Sequence, residues 1–193
     1  MTIPDPIHIV VRLAEIFDKL NIEYMVGGSL ASSIYGIPRS SLDVDLIAAV
    51  DAGRIDPLTQ LLKPEFYIDP EAMHEAIRLK TFFNVIHLQT MFKADIFIHK
   101  ATAFAREQMT RRCRELLLPE KEVFICSPED LILEKIRWFR LGGEVSDRQW
   151  QDVLGVIKVQ GSRLDLNYLK SWAEKLDLSN LVLKVLDESG IKN

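Results

Sequence analysis

Apolar residues at positions 7, 10, 13, 14, 17 and 20 recur at the spacing of one helical face, which predicts an opening helix over 7–20. Asp5 suits its N-cap and Pro6 its first position, where the missing N–H costs nothing. Tyr24-Met25-Val26 reads as a short strand running into Gly27-Gly28-Ser29. The small and apolar stretch 29–35 then suits a short helix that Gly36 and Pro38 end. A strand is expected over 42–50, a turn and a helix broken by Pro57 over 51–63, a strand over 66–68 and a helix over 71–79. Positions 81–88 and 91–99 read as an antiparallel pair with a tight turn near Gln89 and Thr90. A helix over 101–114 ends in Arg106, Arg111, Arg112 and Arg114, a basic terminus that suits the helix dipole. Two apolar runs follow, 116–118 and 123–125. From Ser127, an N-cap with Pro128 behind it and Asp130 in reach of a capping box, the chain reads as helix to 141 and again over 147–159, 166–176 and 180–188. Gly142-Gly143 marks a flexible joint.

The pattern divides the chain into an α/β part, 1–126, and a helical region, 127–193, expected to pack on it. With 48% hydrophobic and 27% charged residues among 193, the composition is that of a soluble globular protein and excludes a disordered one. No apolar stretch approaches the ~20 residues that cross a bilayer, and Met1-Thr2-Ile3-Pro4-Asp5 shows no secretory signal. No membrane partner and a cytoplasmic location are therefore expected. Cys113 and Cys126 make neither a disulfide framework nor a metal-ligand spacing, so reduced thiols and no disulfide-linked partner are expected. A net charge of −4 supplies no global basic field for nucleic acid, which leaves only a local patch.

The chemistry concentrates on two successive strands. Asp43 and Asp45, at i and i+2, project from one strand face while Val44 points the other way. Two carboxylates that close repel unless a cation sits between them. A hard divalent ion such as Mg²⁺ suits oxygen ligands and keeps water or phosphate in its remaining positions. By itself the pair also fits the solvated face of an edge strand. Gly27-Gly28-Ser29 follows a strand and opens a helix, where close backbone approach and exposed N–H groups favour phosphate, with the Ser29 hydroxyl as a further ligand. Asp95, in an otherwise apolar strand, offers the third carboxylate of a two-metal phosphoryl-transfer site. Lys93, on the same face, keeps an ordinary polar face open as the other account of Asp95.

Taken together, Val26-Gly27-Gly28-Ser29, Leu42-Asp43-Val44-Asp45-Leu46 and Ala94-Asp95-Ile96 resemble the three-part signature of the DNA polymerase beta-like nucleotidyltransferase superfamily. Gly-Gly-Ser-Leu-Ala, Arg39 ahead of the aspartates, and the Ser127-Pro128-Glu129-Asp130-Leu131…Lys135 helix are most similar to its minimal bacterial branch, which includes toxins of the AbiEii type. The resemblance implies the nucleotidyltransferase fold, a mixed β-sheet flanked by helices with a C-terminal helical region. It implies transfer of NMP from an NTP to an acceptor hydroxyl on RNA or tRNA, a protein or a small molecule, with release of pyrophosphate. In that family the first two aspartates bind two Mg²⁺ ions, for which Mn²⁺ can substitute, and the third completes the metal site and aids deprotonation of the acceptor. These roles fall on Asp43, Asp45 and Asp95, with Gly27, Gly28 and Ser29 at the phosphates. A toxin–antitoxin setting, with an antitoxin partner, is the biological expectation.

Lys135 lies in the middle of a helix face formed by Leu131, Ile132, Ile136, Trp138 and Phe139, with Glu134, Arg137 and Arg140 opposite. Such a lysine snorkels, finds an anion, or here reaches the triphosphate. Arg39 is a second phosphate candidate, or the partner of an acidic neighbour. His8, His74, His87 and His99 have no paired spacing and are read as structural. Trp138, Trp150 and Trp172 are read as core, and Arg148 with Asp152 as a surface i, i+4 pair. Two other readings compete: a glycosyltransferase with an Asp-x-Asp site, which leaves Gly27-Gly28-Ser29 unexplained, and a binding module that keeps the fold without turnover.

Overall fold

The computed structural model describes residues 6–41 and 43–190, so the N-cap expected at Asp5 and the strand start expected at Leu42 lie outside the described residues. The strands are β1 (Tyr24–Val26), β2 (Asp43–Ala48), β3 (Phe66–Ile68), β4 (Phe82–His87), β5 (Lys93–Ile98), β6 (Cys113–Leu118) and β7 (Lys121–Ile125). The helices are α1 (Pro6–Lys19), α2 (Gly28–Tyr35), α3 (Ile55–Leu62), α4 (Pro70–Leu79), α5 (Ala103–Arg111), α6 (Pro128–Leu141), α7 (Asp147–Gln160), α8 (Leu166–Lys175) and α9 (Ser179–Glu188). They assemble into two units, one of residues 1–27 and 41–125, the other of 28–40 and 126–193.

The first unit holds a seven-stranded mixed sheet in the order β3-β4-β5-β2-β1-β7-β6. Its middle strand β2 runs antiparallel to β1 and parallel to β5. The period-2 alternation expected of a strand is clear there: Val44, Leu46 and Ala48 are buried, and Asp43, Asp45 and Ile47 are half-buried on the other face. Helix α1 buries Val10, Leu13 and Phe17 against β2, β7 and α3, while α3 and α4 cover β3 and β4. Each fully buried side chain of this size contributes about 1.5–3 kcal/mol. The turn between β4 and β5 closes when the Met91 N–H donates to the His87 carbonyl at 2.8 Å.

Two local expectations are corrected. Pro57 does not break its helix, because it lies in the first turn of α3, where backbone N–H groups have no intrahelical acceptor. The helix expected to reach 114 ends at Arg111. Arg112 is extended (φ −55°, ψ 139°) and Arg114 belongs to β6, which pairs antiparallel with β7. Arg112 still donates to the Met109 carbonyl in the last turn of α5, as a cation at a helix C-terminus does, and the guanidiniums of Arg112 and Arg114 also lie 4.5 and 4.8 Å from the centroid of the Phe124 ring.

The second unit is helical. Helix α2 packs on α6 and α7, α8 on α6, and α9 on α7 and α8. Ser127 caps α6 by accepting from the Asp130 N–H, and the fully buried Asp130 carboxylate accepts from the Ser127 hydroxyl at 2.8 Å and from the Tyr168 hydroxyl at 2.6 Å. At the end of α2, Gly36 meets α7 backbone to backbone: a Cβ there would sit 2.8 Å from Val156 N and 2.9 Å from the Gly155 carbonyl carbon. Neither helix backbone can yield locally, so Gly36→Ala is expected to destabilise this unit by about 1–3 kcal/mol, the cost of overpacking. An unchanged thermal midpoint for this variant would disprove the close approach.

Candidate functional site

In the first unit, register assembles the acidic residues. β2 and β5 are parallel, with Asp43 opposite Lys93 and Asp45 opposite Asp95, so all four side chains share a sheet face. On the next strand Asn84 is opposite Asp95. Lys93 Nζ lies 2.9 Å from Asp95 Oδ2, and Asn84 Nδ2 donates to Asp95 Oδ1. The Ser41 hydroxyl donates to Asp43 Oδ1 at 3.1 Å. The Lys93 ammonium is held above its ordinary pKa by its hydrogen bond to Asp95 and, beyond that, by the charges of Asp95, Asp43 and Asp45. Asp95 is thus paired with Lys93, as the ordinary polar face would have it, and in register it also stands opposite Asp45. Among the described residues no three acidic, imidazole or thiol groups converge as a ready metal cage.

Gly27 ends the first unit's opening segment, and its N–H donates to the Asp45 carbonyl at 2.9 Å. An added Cβ would meet Ile47 Cδ1 at 3.1 Å, so a larger residue here requires the Ile47 side chain to give way. Gly28, the next residue, opens α2 with φ of 57°, the left-handed region that favours glycine. Ser29, expected to follow, is buried in the first turn of α2. The Ser32 and Ser33 hydroxyls donate back to the Gly28 and Ser29 carbonyls at 2.9 and 3.1 Å, the i−4 pattern by which a helical serine satisfies its hydroxyl on its own helix.

The second unit contains an ion triad that the sequence did not reveal. Asp152 Oδ1 lies 2.8 Å from Arg39 Nε, and Asp152 Oδ2 lies 2.7 Å from Lys135 Nζ. Arg39 adds a second bond through Nη2 to Oδ2 at 2.8 Å, a bidentate geometry. Burial on its own would raise the Asp152 carboxyl, but the donors Arg39 and Lys135 outweigh it and hold the group below its ordinary value. Lys135 thus finds an anion inside its own unit, and Arg39 pairs with an acidic neighbour distant in sequence. Asp152 was expected to pair with Arg148 one turn away; it is turned to Arg39 and Lys135 instead. Its side chain is only 7% exposed, which is why the reading as a surface pair fails.

The residues set aside sort by packing. His87 Nδ1 is 2.9 Å from the Thr90 hydroxyl and its ring lies edge-on to Phe66, while His99 Nε2 donates to the Ala105 carbonyl. Trp150 packs on Phe139 and donates to Glu188, as a core-edge tryptophan does. Trp138, expected in the core, is 54% exposed instead. Among the described residues no helix is long and apolar enough to cross a membrane.

No protein-family model matches the chain, and no curated protein matches it in sequence. Solved structures do. An antigenic nucleotidyltransferase-like protein from Paracoccidioides brasiliensis superposes with a TM-score of 0.56 at 21% identity, over 95% of this chain and 90% of that one. ANT(2″)-Ia in complex with adenylyl-2″-tobramycin gives 0.58 at 13% identity, over 88% and 97%. The lincosamide antibiotic adenylyltransferase LnuA, bound to lincomycin, gives 0.52 at 10% identity, over 82% and 99%. With its mixed seven-stranded sheet and flanking helices, this chain has the nucleotidyltransferase fold.

Proposed function

We propose that the protein is a nucleotidyltransferase that moves NMP from an NTP onto an acceptor hydroxyl. The observation that carries this reading is the register that lays Asp43 and Asp45 on one strand beside Asp95 on the next, within a nucleotidyltransferase fold. The donor set is three carboxylates on one sheet face, the hard oxygen chemistry that suits Mg²⁺ or Mn²⁺. Asp43 and Asp45 would hold one ion, and Asp95, after releasing Lys93, would help to hold a second. Bound there, the ions would neutralise the triphosphate and lower the pKa of the acceptor hydroxyl.

The remaining roles belong to the chain's own groups. Gly27 and Gly28 keep side chains away from the turn, and the first N–H groups of α2 with the Ser29 hydroxyl would donate to phosphate oxygens. Arg39 and Lys135 bring two positive charges to the single charge of Asp152, and the excess would favour the triphosphate. Asp95 would accept the acceptor's proton directly or through water as the hydroxyl oxygen bonds to the α-phosphorus and the bond to pyrophosphate breaks. The similarity to AbiEii-type sequences supports a further assignment as the toxin of a toxin–antitoxin pair, with an antitoxin as partner.

The test pairs binding with turnover. NTP titrated by calorimetry should bind far more tightly with Mg²⁺ than with EDTA. Incubation with each labelled NTP and cell RNA, protein or hydroxylated small molecules should then release pyrophosphate and label one acceptor class. Tight binding without pyrophosphate release would favour the binding module, and NTP affinity indifferent to metal would end the carboxylate reading.

A further inference from the structure

That reaction only displaces Lys93, yet Lys93 shares the sheet face of the three carboxylates. It stands opposite Asp43 in register, and its ammonium lies 2.9 Å from Asp95 Oδ2. The other Asp95 oxygen accepts from Asn84 Nδ2, so both oxygens of this carboxylate are engaged. The two side chains differ in freedom: that of Lys93 is 42% exposed, that of Asp95 only 12%. A long stem with an exposed tip can swing into solvent at the cost of little packing. Asp95, fixed on its strand between Asn84 and Lys93, cannot leave so easily.

A small divalent ion takes carboxylate oxygens at about 2.0–2.1 Å. An ammonium already at hydrogen-bond distance from the same oxygen repels it, and the two cations cannot share that position without a large Coulomb cost. We propose that Lys93 is a tethered competitor for divalent ions: it holds Asp95 against them and thereby sets the ion affinity of the carboxylate face. The proposal rests on the reading of Asp43, Asp45 and Asp95 as ion ligands. Asp43 and Asp45, which share a strand and face Lys93 only across it, would take the first ion. Ligation by Asp95 would follow only when ion concentration displaces the ammonium. The charges of all three aspartates act on Lys93, which agrees with its place on their sheet face.

Binding of Mn²⁺ and Mg²⁺ alone, without nucleotide, reads the competition directly. Calorimetry for both ions, with free Mn²⁺ followed by electron paramagnetic resonance, would compare wild type, Lys93→Met and Lys93→Arg. Lys93→Met keeps most of the stem and removes the charge, and the ion that uses Asp95 should bind roughly tenfold more tightly. Lys93→Arg should stay near wild type, and adding Asp95→Asn to Lys93→Met should erase the gain. Should Lys93→Met fold poorly, Lys93→Gln makes the same removal with a polar tip. Wild-type ion binding that is unchanged or weakened by Lys93→Met and Lys93→Gln would overturn the competition and leave the proposed reaction standing. A gain that survives Asp95→Asn would also overturn it, because the lysine would then act only as a general surface charge. No ion binding by any of the proteins would overturn the reading of the carboxylates, and this proposal with it.

Discussion

Asp95→Asn is expected to keep most of the Mg²⁺·NTP affinity while nucleotide transfer falls by about 10²-fold or more, the usual scale for losing a positioned base. The amide keeps the size and one coordinating oxygen, and it can still accept from Asn84 or Lys93, so the strand pairing of β5 has no reason to fail. Asp43→Asn should behave differently and lose binding and turnover together, because Asp43 and Asp45 share β2 and in the proposed reaction would hold the ion that carries the triphosphate. Equilibrium NTP binding and single-turnover transfer, measured on both variants, separate the two roles. Wild-type transfer by Asp95→Asn would reduce Asp95 to a polar residue on a strand and end the three-carboxylate mechanism.

Asp152→Ala should produce the largest loss of stability. It leaves Lys135, whose side chain is 7% exposed, with a buried charge and no carboxylate, and breaking such a pair costs about 3–5 kcal/mol. Arg39, at 28% exposure, can recover water and adds little to this loss. The pH dependence has a definite sign. The carboxyl of Asp152 is held below its ordinary value of 3.8, so the triad stabilises the folded chain fully above that pH and loses its contribution as pH falls through the lowered value. Denaturant unfolding of wild type and Asp152→Ala should therefore differ by a constant amount between pH 5 and 7, by roughly the cost just given. The difference should shrink below about pH 4. A gap that stays constant to pH 2 would show that Asp152 stabilises by packing alone.

What the sequence disclosed and what it concealed follow from the range of the interactions. Helices α6 to α9 and strands β1 to β5 could be read within two or three residues because caps, periodicity and turns are local. The placement of Asp43, Asp45 and Asp95 on one face needed only i, i+2 geometry and one guess of strand adjacency. Strand β6 was missed because Arg111, Arg112 and Arg114 read as a helix terminus, and its alternation shows only once β7 pairs with it. Asn84 could not be found without the β4–β5 register, which fixes it opposite Asp95. Asp152 was hidden for a similar reason. Its local partner Arg148 suited i, i+4, whereas Arg39 lies 113 residues away in sequence, and no periodicity reports so long a pairing.

The second unit is built from two stretches of chain with six of the seven strands between them, and this imposes an order on synthesis. Helix α2 ends at Tyr35, but its packing partners begin only at Pro128. At ribosomal speeds of about 5–20 residues per second, the roughly ninety intervening residues take about 5–20 s to emerge. An eight-residue helix has little stability alone, so during that interval the segment carrying Gly28, Ser29 and Arg39 stays an unstructured loop on the nascent chain. The sheet residues, complete once Ile125 has emerged, can fold before it. The helix that opens at Gly28 thus gains its packing partners only when the final helices have been made.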